Sequence, residues 1–107
     1  MKLEVGQFAR LKSGYIVKVL NVKDDWIETD TKFITRTFPK DFVKASYNII
    51  EILKEGDYVN GCKVIKNTLK DGGNIVIVQG GNCFTNEEIK SVITHEQMEQ
   101  IAYKVSD

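Results

Sequence analysis

The sequence predicts a mainly β protein, made of two tandem small barrel units of antiparallel strands and a short C-terminal α-helix. Three observations predict it: an ordered internal similarity, short β-prone runs between Gly- and Asn-containing turns, and a change to helical spacing near the C-terminus. The chain has 107 residues, of which 42% are hydrophobic, so it can bury a core.

The internal similarity is an ordered series of short segments that recurs with an offset of about 45–50 residues. The matched segments are 5–9 (VGQFA) with 55–59 (EGDYV), 18–20 (KVL) with 63–65 (KVI), 26–29 (WIET) with 75–78 (IVIV), and 37–44 (TFPKDFVK) with 83–90 (CFTNEEIK). We therefore predict a duplicated unit, with the first copy at 1–50 and the second copy plus the helix at 51–107. Because units this small bury little alone, they are expected to pack together, and a single fused domain remains an alternative.

The strands are predicted from the turns that separate them. In the second copy, 71–74 (DGGN) and 80–82 (GGN) flank 75–79, and such Gly and Asn residues supply the positive φ angles of tight hairpins. The segment 33–38 (FITRTF) is typical of a half-exposed strand. Pro39 suits a first helical position and predicts one short helical turn over 39–42. Between the copies, 48–53 (NIIEIL) is either a strand, which its Ile content favours, or a short connector.

The C-terminal segment changes to helical periodicity. Thr94 and Gln97 fit a capping box, in which Thr94 caps the helix and Gln97 reaches back to the cap. The apolar residues that follow at helical spacing predict a face that packs on the second unit: Met98, Ile101, Ala102 and Val105.

Charge composition bears on the class of partner. Lys and Arg number 15, as do Asp and Glu, which counts against a dedicated nucleic-acid binder because phosphate neutralisation supplies most of such a protein's affinity. Residues 1–50 hold nine basic and six acidic residues, whereas 51–107 hold six and nine. This difference fits either a bipolar binding surface or two solvated faces.

The N-terminal residues MKLEVG lack the apolar stretch of a signal peptide, and the longest apolar runs fall far short of the ~20 residues that span a bilayer. We expect a soluble cytoplasmic protein with no membrane contact. Cys62 and Cys83 are then free thiols, packed as small core residues, and are too few for a Cys-rich zinc site.

Catalytic patterns are weak. His95 stands alone at the predicted start of the helix, where it is expected to be a solvated first-turn residue. The paired glycines lack the Lys-Ser/Thr of a phosphate-binding loop, and the acidic pairs at 24–25 and 87–88 lie at predicted turns. The sequence therefore predicts no enzyme, no cofactor and no metal.

A binding role is better supported than a catalytic one, because the first unit carries both basic and aromatic side chains. Phe8, Phe38, Phe42 and Trp26 are expected in the core. The residues expected to be exposed and to contact a partner are Arg10, Lys12, Tyr15 and Arg36.

The segment 5–19 (VGQFARLKSGYIVKV) resembles the opening of an SH3-like small barrel, as in KOW-type and CarD-type transcription modules. The chain also resembles small proteins from phages and prophages of Gram-positive bacteria, on 56–61 (GDYVNG) and 87–97 (EEIKSVITHEQ). This resemblance implies two SH3-like units and a phage context, with action in the host cytosol.

The leading hypothesis is a non-catalytic protein-binding module that inhibits a host or antiviral-defence protein, as anti-CRISPR proteins do. One alternative is a KOW-type nucleic-acid-associated accessory factor that uses the basic first unit. The other is a phage structural accessory protein, which predicts stable homo-oligomers.

Overall fold

The computed structural model describes residues 2–31, 37–70, 73–102 and 105. In this part of the chain, nine strands form two antiparallel sheets, and one short helix follows. The mainly β prediction and the C-terminal helix are confirmed. The first sheet contains β1 (Phe8–Leu11), β2 (Ile16–Val22), β3 (Ile27–Thr29) and β4 (Phe42–Ser46). The second contains β5 (Tyr58–Val59), β6 (Cys62–Lys70), β7 (Gly73–Val78), β8 (Cys83–Phe84) and β9 (Val92–Ile93), and the helix is α1 (His95–Ile101).

The two sheets have related strand orders. The first sheet runs β3-β2-β1-β4, and an isolated bridge from Ile27 to Thr37 extends it beyond β3. The second runs β8-β7-β6-β5-β9. In each sheet the last strand pairs with the first after a 3₁₀ turn, at Pro39–Asp41 and at Asn86–Glu88. The predicted short turn at Pro39 is therefore present. The match of 37–44 with 83–90 aligns Pro39 with Thr85, so the second 3₁₀ turn, which begins at Asn86, lies one residue later than that match predicts.

Backbone details recur at equivalent positions of the two sheets. Gly6 and Gly56 adopt φ angles of 94° and 97°. The Gly6 amide donates to the Val19 carbonyl at 2.8 Å, and the Gly56 amide donates to the Val64 carbonyl at 3.1 Å. Both strand pairs then have a bulge after this valine. A duplicated unit predicts such a recurrence.

One side-chain hydrogen bond also recurs at equivalent positions of the two units. The Gln7 side chain accepts a hydrogen bond from the Glu4 amide at 3.0 Å. Asp57, which stands at the equivalent position, accepts one from the Lys54 amide at 2.8 Å. The residue before each turn is a buried leucine, Leu3 or Leu53.

Each sheet has its own hydrophobic core. The first core contains Leu3, Ala9, Leu11, Val17, Val19, Ile27 and Phe42. The second contains Ile50, Leu53, Val59, Val64, Val76 and Val78. Among the described residues, β3 and β4 end the first strand order and β8 and β9 the second, so both sheets are open. Closed barrels, as the sequence predicted, are not observed in these residues.

The opposite face of the first sheet lies against the second unit. Cross-strand pairing places Phe8 beside Lys18 and Arg10 beside Ile16 on this face, while Ala9 points to the first core. Ile16 packs against the second core. The second unit thus covers part of this face at Arg10 and Ile16, whereas Lys18 on the same face stays exposed.

The connector between the sheets differs from the predicted strand. It forms a 3₁₀ turn, Ile49–Ile52. Ile50, Ile52 and Leu53 are all buried. The turn is closed by the amides of Glu51 and Leu53, which donate to the carbonyls of Asn48 and Ile50 at 3.0 and 3.2 Å. Asn67 stabilises the turn, because its side-chain amide donates to the carbonyls of Ile50 and Leu53 at 3.0 and 3.1 Å.

Other packing predictions are wrong. None of the residues of α1 is buried, and Ile101 and Val105 are 71% and 88% exposed. Of the predicted apolar face only Met98 is half-buried, so most of that face is exposed. Phe38 is 43% exposed, whereas Phe42 is buried as expected. Cys83 is exposed rather than in the core, while Cys62 is half-buried, and both are free thiols. Of the predicted strand at 33–38, residues 33–36 lie outside the described residues.

Candidate functional site

The structure describes three of the four predicted partner-binding residues, Arg10, Lys12 and Tyr15. Lys12 is exposed and Tyr15 is 40% exposed, as predicted. Arg10 is only 3% exposed, so the prediction of an exposed Arg10 is wrong. Arg36 lies outside the described residues. Lys12 and Tyr15 share the β1–β2 turn, whereas Arg10 lies within β1 and binds Asp57 and Glu96.

Arg10 is buried because its guanidinium is surrounded by acceptors from distant parts of the chain. Its Nη1 and Nη2 atoms bind the two Asp57 carboxylate oxygens at 2.6 and 2.8 Å, in a bidentate pair. Nη1 also donates to the Ile52 carbonyl at 2.9 Å, and Nη2 to Glu96 Oε1 at 2.9 Å. Nε donates to Glu96 Oε2 at 3.4 Å. All five N–H donors of the guanidinium thus meet acceptors from the connector, from the residue that precedes β5 and from α1.

The two carboxylates are held by further donors. Asp57 also accepts the backbone amides of Lys54 and His95, at 2.8 and 2.9 Å. Lys54 Nζ lies 3.3 Å from Glu96 Oε1. Burial by itself would raise the pKa of Glu96, but the hydrogen bonds and the attraction of Arg10, a backbone hydrogen bond and the hydrogen bond of Lys54 together outweigh burial and lower that pKa. In the same way, burial opposes the charge of Arg10, and the bonds to Asp57 and Glu96 raise its pKa.

This cluster of Arg10, Asp57 and Glu96 is a structural link between the two sheets and the helix. Its charges are matched by bidentate and backbone hydrogen bonds, which is the condition under which buried ions are tolerated. The sequence could not reveal the cluster, because Arg10 lies 47 positions from Asp57 and 86 from Glu96.

The β1–β2 turn, which carries Lys12 and Tyr15, is held by α1. The Thr94 hydroxyl donates to the Gly14 carbonyl at 2.7 Å, and the Gln100 side chain donates to the Ser13 carbonyl at 2.8 Å. The Lys12 amide donates to the Asp41 carbonyl at 2.9 Å. Lys12 and Tyr15 are therefore presented from a fixed backbone.

A groove of about 330 Å³ lies between the outer face of the first sheet and the segment that precedes β9. We call it the inter-sheet groove. Its aliphatic and phenyl side chains belong to residues of β1, β2, the connector and the second unit: Phe8, Ile16, Val17, Ile49, Ile89 and Val92. Ile16, Ile49 and Ile89 are only half-buried, so part of this apolar surface faces the groove.

Charged residues stand among the groove's lining. Lys18 and Lys90, both exposed, come from the first sheet and the second unit respectively. Lys18 Nζ lies 5.6 Å from the centre of the Phe8 ring. Asp30 is the acidic residue of the lining, and its Oδ1 accepts the Lys18 amide at 2.9 Å. Tyr47 also lines the groove, and its pKa is raised because its hydroxyl donates to Glu4 at 2.7 Å.

The wall that carries Lys90 is fixed by one asparagine. Asn60 Oδ1 accepts the amides of Lys90 and Ser91 at 2.8 and 3.1 Å, and Nδ2 donates to the Glu88 carbonyl at 3.0 Å. On the adjoining side, Asn86 Oδ1 accepts the Ile50 amide at 3.2 Å. The sequence did not predict this groove, because its walls come from both copies; the alternation of Phe8 and Lys18 with core residues was the available indication of a second, non-core face.

The described residues contain no group of three or more His, Cys, Asp or Glu that could hold a metal ion. His95 is exposed, as predicted, and its Nε2 lies 3.9 Å from Glu99 Oε1. In the described part of the chain, no helix is long and apolar enough to cross a membrane.

Comparison of the chain with protein families, with curated proteins and with solved structures finds no match.

Proposed function

We propose that this protein is a non-catalytic protein-binding module that receives part of a partner protein in the inter-sheet groove. The observation that carries the proposal is the groove itself, in which apolar side chains from both units lie beside Lys18 and Lys90. Concave, mostly apolar sites with a few polar groups are the usual form of a binding site.

The β1–β2 turn adds a second contact region. Lys12 and Tyr15 are exposed there on a backbone fixed by Thr94 and Gln100. Tyrosine anchors on rigid backbone lose little conformational entropy on binding, which favours affinity. We propose that the partner contacts this turn as well as the groove.

The biological setting is proposed from the resemblance to phage and prophage proteins. In this setting the partner is a host or antiviral-defence protein, and binding inhibits it, as anti-CRISPR proteins do. The finer description of each unit as an SH3-like barrel belongs to the same proposal. It is supported by the return of β4 to β1 and of β9 to β5, since closure of a small barrel brings first and last strands together.

The test is affinity capture of the tagged protein from bacterial lysate, with and without nuclease, followed by mass spectrometry. We expect one stoichiometric protein partner that survives nuclease and is lost with Lys90→Glu. Lys66→Glu is the matched control, because Lys66 is also exposed but does not line the groove. Absence of any stoichiometric partner would contradict the protein-binding function.

The same experiment tests the alternatives. Partners that vanish with nuclease would favour the KOW-type accessory factor, although the pairing of Arg10 with two carboxylates removes one cation from its expected binding surface. Stable homo-oligomers on a sizing column would favour the structural accessory protein.

A further inference from the structure

The chemistry of the inter-sheet groove indicates what kind of partner segment it accepts; this inference rests on the proposed protein-binding function. We propose that the groove binds an extended acidic segment that places one bulky aliphatic or aromatic side chain between Lys18 and Lys90.

The apolar residues determine the central side chain. Ile16, Ile49 and Ile89 come from β2, the connector and the second unit, and all three are half-buried in the lining. Transfer of an apolar side chain from water to such a surface is favourable in proportion to the area covered. A volume of about 330 Å³ is at the low end for ligand pockets, which suits one anchoring side chain rather than several.

The charged residues determine what flanks that side chain. Lys18 and Lys90 are exposed on the two sides of the groove. The carboxylate of Asp30 is engaged by the Lys18 amide at 2.9 Å. Two lysines against one acidic residue give the lining a positive balance, which favours carboxylates on the partner.

The groove is formed before the partner arrives. Asn60 holds the backbone of Lys90 and Ser91 through two hydrogen bonds, and Asn86 holds the connector. A preformed site avoids the entropic cost of ordering its own walls on binding. A short peptide should therefore bind measurably without the rest of the partner.

The experiment uses the full chain with labelled isoleucine methyl groups and three blocked peptides. These are acetyl-Glu-Glu-Leu-Glu-Glu-amide, the same peptide with Ala for Leu, and acetyl-Lys-Lys-Leu-Lys-Lys-amide. We expect the acidic Leu peptide to shift the methyl signals of Ile16, Ile49 and Ile89. The buried Ile27 of the first core should not move and serves as an internal control for the fold.

The expected preference for the acidic Leu peptide is roughly tenfold over the Ala peptide and over the basic peptide, decreasing with added salt. The double variant Lys18→Glu/Lys90→Glu should reverse the charge preference while the Ile27 signal stays in place. The proposal is overturned by equal or tighter binding of the basic peptide, by an unchanged preference in the double variant, or by no shift at millimolar peptide.

These outcomes are separable from those of the proposed function. A captured protein partner that still binds the double variant would leave the protein-binding function standing and overturn the acidic-segment groove. Binding of the acidic peptide without any captured partner would support the acidic-segment groove and contradict the proposed protein-binding function.

Discussion

Arg10 differs from the other cations of the first sheet because its guanidinium lies between two carboxylates and a carbonyl. A lysine could not replace it, since an ammonium group cannot donate to both oxygens of Asp57 in parallel. The burial of Arg10 also places Asp57 fully out of solvent. Removal of the arginine therefore leaves a buried carboxylate without its main partner.

We expect Arg10→Met to lower the free energy of unfolding by about 3–5 kcal/mol, the usual cost of leaving one member of a buried ion pair unpaired. Lys12→Met is the matched control two residues away, and because Lys12 is exposed it should change stability by less than about 0.5 kcal/mol. Urea denaturation at neutral pH measures both. Similar losses for the two variants would contradict the structural role of Arg10.

Glu96 makes part of the stability depend on pH. Its pKa is lowered in the folded state from the ordinary 4.5, so its contribution is present above that pH and is lost as pH falls through the lowered pKa. Glu96→Gln should therefore be less stable than the wild type by about 1 kcal/mol at pH 7. We expect this difference to shrink as denaturation is measured at pH values stepped down below 4.5. A difference that stays constant to the lowest pH would show that the Glu96 charge is not involved.

At the scale of the elements, the β1–β2 turn and α1 form one packed unit. Gly14 adopts a φ of +98°, and a Cβ atom there would lie 2.5 Å from Glu96 Cβ and 2.6 Å from Thr94 Oγ1. Close approach of the turn to the helix N-terminus is therefore possible only with glycine. The turn that positions Lys12 and Tyr15 depends on this contact.

Gly14→Ala and Gly80→Ala form a matched pair that separates backbone strain from the clash. Both glycines have a φ of +98°, but a Cβ at Gly80 would meet nothing within 4 Å. Gly80→Ala should lower stability by about 1–2 kcal/mol through the left-handed conformation alone. Gly14→Ala should cost about 1–3 kcal/mol more, because Thr94 and Glu96 must move. Equal losses in thermal or urea denaturation would mean that α1 does not pack on the turn.

Local features of these elements could be predicted from the sequence, because neighbouring residues determine them. The Thr94–Gln97 capping box is present, and the turn at 80–82 contains two glycines with φ of +98° and +90°. The 3₁₀ turn that begins at Pro39 follows from the same local rules. The mainly β character and the short C-terminal helix were predictable on this basis.

What the sequence could not predict depends on contacts between distant residues. The connector is a 3₁₀ turn whose carbonyls at Ile50 and Leu53 accept from Asn67, a contact from the second unit that overrides the strand propensity of isoleucine. Arg10 was expected at the surface, and its burial depends on Asp57 and Glu96 from the other half. The inter-sheet groove could not be predicted for the same reason, because residues of both halves line it.

At the scale of the whole molecule, the interface between the two sheets is specified by polar groups as well as by apolar packing. Arg10 joins the first sheet to Asp57 and Glu96, and the Gly14 carbonyl accepts from Thr94. Ile16 of the first sheet packs on the second core. Opening of one sheet would expose groups of the other, which predicts that the two unfold together.

Hydrogen exchange at two equivalent amides tests this coupling. The Val19 amide donates to the Gln7 carbonyl at 2.9 Å in the first sheet, and the Val64 amide donates to the Asp57 carbonyl at 2.7 Å in the second. Both valines are essentially inaccessible, so each amide should exchange only through large-scale opening. We expect the two amides to show the same free energy of opening, equal to that of global unfolding. Arg10→Met should lower both by the same amount, since its loss weakens the interface that holds the sheets together. A fall confined to Val19, with Val64 unchanged, would instead show that the second sheet folds without the first.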